Sequence, residues 1–139
     1  ENGFNYIIPP AIASLGEEAV RAFEEQMSTI HSWYKAWQEK LEKGEKGNED
    51  ARFVLPNACE TRLVVTMNAR ELRHFCSLRC CNRAQWEIHA LADEMLKLAR
   101  EKAPIIFKSA GPACVRGACS EGVKTCGKME KVRAKYLEE

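Results

Sequence analysis

An unbroken heptad of apolar residues dominates the first third of the chain. Val20, Phe23, Met27, Ile30, Tyr34, Trp37 and Leu41 follow one another at alternating intervals of three and four. This spacing predicts one long amphipathic helix whose seam must be covered, either by elements of this chain or by another subunit. Ser14 is placed to cap the helix, Glu17 and Glu18 open it, and Lys40 and Lys43 close it, so that charges at both ends oppose the helix dipole. Such a stripe reads as core or interface rather than as a ligand site, and His31 beside it reads as a packed or solvated histidine. At 139 residues the chain has the size of one domain. A domain of that size buries roughly two thirds of its unfolded surface, so its stability can lean on a partner chain.

Downstream, Gly44 and Gly47 end the long helix, and the polar run from Glu42 to Asp50 is the one linker-like stretch. Asn48 can cap a short turn of helix carrying Glu49, Ala51 and Arg52, which stops at Leu55 because the residue before Pro56 is pushed out of the α region. Thr61 to Met67 is β-branched and apolar and predicts a strand or extended segment. Asn68 with Glu71 three residues on forms a capping-box signal for a second helix. Asn82 with Gln85 repeats that signal for a third, whose apolar positions Ala84, Ile88, Leu91, Met95 and Leu98 keep the helical period until Pro104. The expected class is α+β, mainly helical with a short strand segment.

Lys and Arg number 21 against 20 Asp and Glu, a net charge of +1, so the chain carries no long-range field for nucleic acid or anionic lipid. Its apolar runs are only a few residues long, far short of the roughly 20 that a membrane helix needs. An odd count of seven Cys, with Cys80 and Cys81 adjacent, suits a reducing compartment and leads us to expect a cytoplasmic protein. The chain opens on Glu1 without a leader pattern, which we read as a cut or processed end.

Positive charge is concentrated locally. Between Asn68 and Arg83 stand Arg70, Arg73, Arg79 and Arg83 against Glu71 alone, a local balance of 4 − 1 = +3. On a helical wheel Arg70, Arg73, His74 and Ser77 share one face, and Leu72, Phe75 and Cys76 share the opposite one. Arg79 falls in the middle of the apolar face. A guanidinium cannot shed its proton, so if the helix reaches that far Arg79 must meet a carboxylate or an anionic ligand. If the helix instead ends at Leu78, Arg79 merely interacts with its terminal carbonyls. Arg52 is a second candidate for gripping an anion by parallel hydrogen bonds, against a plain reading as half of an i, i+3 pair with Glu49.

The segments Glu49-Asp50-Ala51-Arg52-Phe53-Val54-Leu55-Pro56, Thr61-Arg62, Asn68-Ala69-Arg70, Leu78-Arg79 and Ala84-Gln85-Trp86-Glu87-Ile88 together resemble the C-terminal half of the flavin-dependent thymidylate synthases. The resemblance is strongest from Glu49 to Ile88 and extends loosely back to Phe4 and forward to Phe107. It implies a homotetramer in which flavin (FAD) and dUMP lie where subunits meet. It also implies transfer of a methylene group from methylenetetrahydrofolate to the uracil C5, with NADPH as electron source. Carried over by position, Arg79 contacts the uracil as the catalytic residue favouring ionisation at ring N3. Arg52 contacts dUMP, and Asn68, Ala69, Arg70 and His74 contact the flavin. Glu49 matches the acid of the first motif. The pattern RHRxxSxNExSxRY, which belongs to the family's N-terminal half, is absent, so the chain reads as the C-terminal portion and is expected to be inactive alone. The organisation expected is residues 1–110 as that portion of the catalytic domain and 111–139 as a cysteine-containing tail.

That tail carries the competing readings. Cys114, Cys119 and Cys126, spaced Cx4C and Cx6C, suggest a noncatalytic metal- or redox-binding module, with a fourth ligand from Cys59, Cys80, Cys81 or a histidine. The lack of any CxxC pair argues against metal, and no metal site is expected. A helix-turn-helix built from Asn68 onward is disfavoured because its second helix carries Glu87, Asp93 and Glu94 where phosphates would approach.

Overall fold

The structure is a computed structural model that describes residues 4–137. The chain divides into two compact units at Val64 and Val65. In the first unit a short helix α1 (Pro10–Ala13) precedes the long α2 (Glu17–Lys40), followed by α3 (Glu45–Ala51) and a 3-10 turn over Arg52–Val54. The heptad helix therefore forms as predicted. Ser14 is not its cap: the Ser14 hydroxyl donates to the Ala11 carbonyl within α1, and Gly16, at φ +102°, occupies the N-cap position of α2. A positive φ is cheap only for glycine, so the chain turns there without a side-chain cap.

Cover for the seam comes from short pieces rather than from a second long helix. Met27 is buried, and Val20, Phe23, Ile30, Tyr34 and Leu41 are half-buried. The Tyr6 ring meets Phe23 edge-on, and Phe4 meets His31 the same way, so His31 is packed. At the far end Gln38 donates to the Asn48 Oδ1 at 2.8 Å and to the Tyr34 hydroxyl at 3.1 Å. Asn48 thus lies inside α3 rather than at its start, which Gly44 occupies. The turn ends as expected at Leu55, whose extended ψ of 140° is what a following proline demands.

The short strand is absent. Among the described residues the only β pairing is an isolated antiparallel bridge between Tyr6 and Cys59. Residues 61–67 form no ladder, and Val64 is fully exposed. β-branched residues favour a pleated surface only when a neighbouring strand supplies one, and none does so among the described residues. The fold is mainly helical, and among the described residues no helix is long and apolar enough to cross a membrane.

In the second unit α4 (Ala69–Arg79) and α5 (Trp86–Lys102) pack together. They are followed by α6 (Pro104–Phe107), 3-10 turns over Ala113–Val115 and Gly122–Lys124, and α7 (Met129–Leu137). Asn68 caps α4 as predicted, its side chain accepting from the Glu71 N–H at 2.9 Å. The cap of α5 is Gln85, which accepts from the Glu87 and Ile88 N–H groups, and not Asn82. Residues 81–84 are instead used in a turn closed by Ala84 N–H to Cys81 O. The stripe of α5 that meets the core is Ala92, Leu96, Ala99 and Ala103, whereas Leu91 and Leu98 of the predicted stripe are exposed. α5 is apolar on more than one face, so period alone does not say which face is covered.

Into this core the tail sends Cys114, Val115, Val132 and Tyr136, packed with Cys76 and Cys80 of the α4 end. Cys76, Cys80 and Cys114 are buried, and the other four cysteines are half-buried. The neighbouring Cys76 thiol and burial hold the Cys80 thiol well above its usual range, and burial raises Cys114. Thiolates are the reactive species, so these two thiols are protected twice over. An aromatic disulfide reagent added to the native protein should label at most four of the seven thiols rapidly, the rest reacting only after denaturation. Rapid labelling of all seven would contradict this packing.

Candidate functional site

The capped start of α4 presents Arg70, Arg73, His74 and Ser77 at positions i, i+3, i+4 and i+7, the shared face expected from the wheel. These four residues line a groove of about 440 Å³ together with Ala69, Ile106 and Arg116. Arg73 donates from Nη1 to the Ile106 carbonyl, tying α4 to α6, and the Ser77 hydroxyl donates to the His74 carbonyl at 2.7 Å. No carboxylate is among the lining residues, so three guanidiniums face one groove without a compensating acid. An anion with several acceptor oxygens is the ligand chemistry that this arrangement suits.

Of the residues singled out from sequence, Ala69, Arg70 and His74 are brought together here. Asn68 stands just outside, its side chain committed to the cap. Arg79 is the last residue of α4, so the helix does reach it, yet its side chain is exposed. The apolar setting expected for it is not met within this chain: α4 ends at Arg79, and it is Cys80 that turns into the core. Among the described residues no carboxylate lies within ion-pair distance of Arg79. Arg52 lies in the other unit, exposed, with Nε donating to the Asn48 carbonyl at 3.3 Å rather than pairing with Glu49.

Sequence reasoning missed Arg116 and Ile106 as lining residues. Ile106 lies in the apolar run Ile105-Ile106-Phe107, which carries no polar signal for a site. Arg116 had no local signal, since nothing near it in sequence says that the tail folds back toward α4.

The tail cysteines do not assemble a metal site. Among the described residues no three His, Cys, Asp or Glu side chains converge on a point that would hold a metal ion. Cys114 is taken into the core, and Cys126 accepts from Asn82 Nδ2 at 3.7 Å beside a second groove lined by Trp86, His89 and Lys128. His89 of that groove is held by two polar neighbours. Its Nδ1 lies 3.0 Å from the Cys81 carbonyl and its Nε2 3.3 Å from Asp93, so both ring nitrogens are engaged.

Comparison with known proteins bears on the same segments. The family model described as thymidylate synthase complementing protein matches residues 1–105. A flavin-dependent thymidylate synthase of Geobacter sulfurreducens is 49% identical over 137 residues, covering 99% of this chain and 57% of the relative. The enzyme of that name from Clostridium tetani is 44% identical over 145 residues, covering 96% of this chain and 58% of the relative. That from Nitratidesulfovibrio vulgaris is 50% identical over 131 residues, covering 90% and 53%. The chain thus spans about half the length of the curated relatives it matches.

Proposed function

Because the chain belongs to the thymidylate synthase complementing protein family, we propose that it is the C-terminal portion of a flavin-dependent thymidylate synthase that converts dUMP to dTMP. The co-substrates in this reading are methylenetetrahydrofolate and NADPH, the cofactor is FAD, and the enzyme is a cytoplasmic homotetramer with sites where subunits meet. Residues 1–110 belong to the catalytic domain and 111–139 form its tail. On its own the chain lacks part of the site and does not turn over.

The observation that carries this reading is the α4 groove, where Ala69, Arg70 and His74 meet Arg73 and Arg116 with no acid among the lining residues. A cofactor that bears phosphates fits that donor set. Bound flavin supplies the hydride chemistry, and the protein's part is to position and polarise. Arg70 and His74 hold the cofactor on the open face of α4. Asn68 fixes the start of the helix that carries them, which keeps both at a set distance along one face. Arg79, one turn beyond Phe75 and Cys76, points its charge outward to meet the pyrimidine, where it stabilises the anion at ring N3. Arg52 grips the nucleotide as a second guanidinium.

The full-length protein tests this directly. It should oxidise NADPH with a flavin bound only when dUMP and methylenetetrahydrofolate are both present, and it should form dTMP. Oxidation that ignores dUMP would refute the assignment.

A further inference from the structure

We propose that Arg116, from the cysteine-bearing tail and beyond the residues matched by the family model, is a phosphate-binding residue of the α4 groove that contacts the pyrophosphate of the flavin dinucleotide. The proposal rests on the reading of that groove as the flavin site. Two independent features of the structure lead to it.

The first is placement. Arg116 lines the same groove as Arg70 and Arg73 of α4, although more than forty positions separate it from them in sequence. Its backbone is held from both sides. Arg133 of α7 donates from Nε to the Cys114 carbonyl at 2.8 Å and from Nη2 to the Gly117 carbonyl at 2.7 Å, and the Arg116 N–H donates to Ala113 O at 3.2 Å. Cys114 and Val115 beside it are buried in the core while Arg116 itself is exposed. Holding the backbone and freeing only the side chain lowers the ordering cost when a ligand arrives, which is what a built binding loop requires.

The second is charge. Arg73 commits one N–H to Ile106, and among the described residues the guanidiniums of Arg70 and Arg116 make no side-chain hydrogen bond to the protein. Like charges gathered around one groove repel one another in the unliganded fold. A pyrophosphate offsets that repulsion and matches the planar guanidinium fork with paired oxygens.

The shared chemistry is a phosphate ester, which FAD and dUMP both carry, so the test separates them. In the full-length protein FAD and riboflavin are titrated by flavin fluorescence against wild type, Arg116→Ala, Arg116→Lys and Arg70→Ala, and the KM for dUMP is measured on each. Loss of one charge-assisted contact should weaken FAD about ten- to a hundredfold in Arg116→Ala, with partial recovery in Arg116→Lys. Riboflavin affinity and the KM for dUMP should stay within about twofold, since neither draws on that contact in the proposal. If Arg70→Ala weakens FAD and Arg116→Ala does not, the role of Arg116 is overturned while the flavin reading of the groove stands. If neither variant changes FAD affinity, the flavin reading falls as well. A raised KM for dUMP with unchanged FAD affinity would assign the phosphate to the substrate and overturn the proposal.

Discussion

Arg79→Ala in the full-length protein should lower the rate of dUMP-dependent NADPH oxidation by about a hundredfold or more, the scale seen when one preorganised donor to a developing anion is removed. Stability should barely move. Arg79 is exposed at the C-terminal end of α4, where a cation interacts favourably with the helix dipole but is worth only about 0.3–1 kcal/mol. An effect on turnover without an effect on folding separates a charge aimed at substrate from one that holds the helix end. Arg79→Lys keeps the charge and loses the fork, so it should recover part of the lost rate. The checks are kcat and KM for dUMP beside a thermal unfolding curve. Turnover within about threefold of wild type in Arg79→Ala would remove Arg79 from the catalytic role, since even one ordinary hydrogen bond to a charged group is worth more than that.

Much of this site is legible in sequence because it is a local feature of one helix. The Asn68 cap fixes where α4 begins, and the 3.6-residue period then decides that Arg70, Arg73, His74 and Ser77 share a face. The end of α5 at Lys102, before Pro104, is legible for the same reason. Features that depend on packing between distant segments are not. The tail Cys114 and Tyr136 enter the core beside Cys76 and Cys80, and nothing in the spacing of the tail cysteines distinguishes a packed thiol from a metal ligand. The Thr61 to Met67 segment shows the opposite failure: its composition suits a strand, but strand formation needs a partner that composition cannot supply. Arg79 shows a third. The wheel sets it on the apolar face, but whether a terminal residue is covered depends on how far the neighbouring elements extend along the helix, and Arg79 is exposed.

Asp93→Ala should strongly destabilise the second unit, because Asp93 links α5 to α7. Its carboxylate accepts from Lys135 Nζ at 2.6 Å and from the Tyr136 hydroxyl at 2.5 Å, with His89 Nε2 at 3.3 Å. Burial pushes the Asp93 carboxyl up, but hydrogen bonds from Lys135, Tyr136 and Cys80 together outweigh it and hold the group below its ordinary value. Removing the acceptor leaves the largely buried Tyr136 hydroxyl with the more distant Cys80 carbonyl, 3.2 Å away, as its remaining partner. Loss of this partly buried cluster should cost about 2–3 kcal/mol, at or below the lower end of the range for breaking a buried charge pair. Hydrogen exchange over residues 129–137 of the full-length protein reads this as protection factors lowered about 30- to 160-fold, at 1.36 kcal/mol per tenfold. The pH dependence has a fixed sign. A carboxyl depressed in the fold contributes stability that is fully present above the unfolded carboxylate value of about 3.9 and is lost as pH falls through the lower folded value. Wild type should therefore lose stability on acidification more steeply than Asp93→Asn, which has no proton to take up, and the two curves should converge only once the pH has fallen below the lowered folded value of Asp93, where the wild-type carboxyl is itself neutral. Parallel curves, or an Asp93→Ala variant within about 0.5 kcal/mol of wild type at neutral pH, would mean that α7 is held by its apolar contacts alone, as an ordinary surface substitution would leave it. Because Arg133 on the same helix holds the carbonyls on either side of Arg116, loosening α7 should also weaken FAD in the Asp93 variants, so the structural and ligand readouts should fall together.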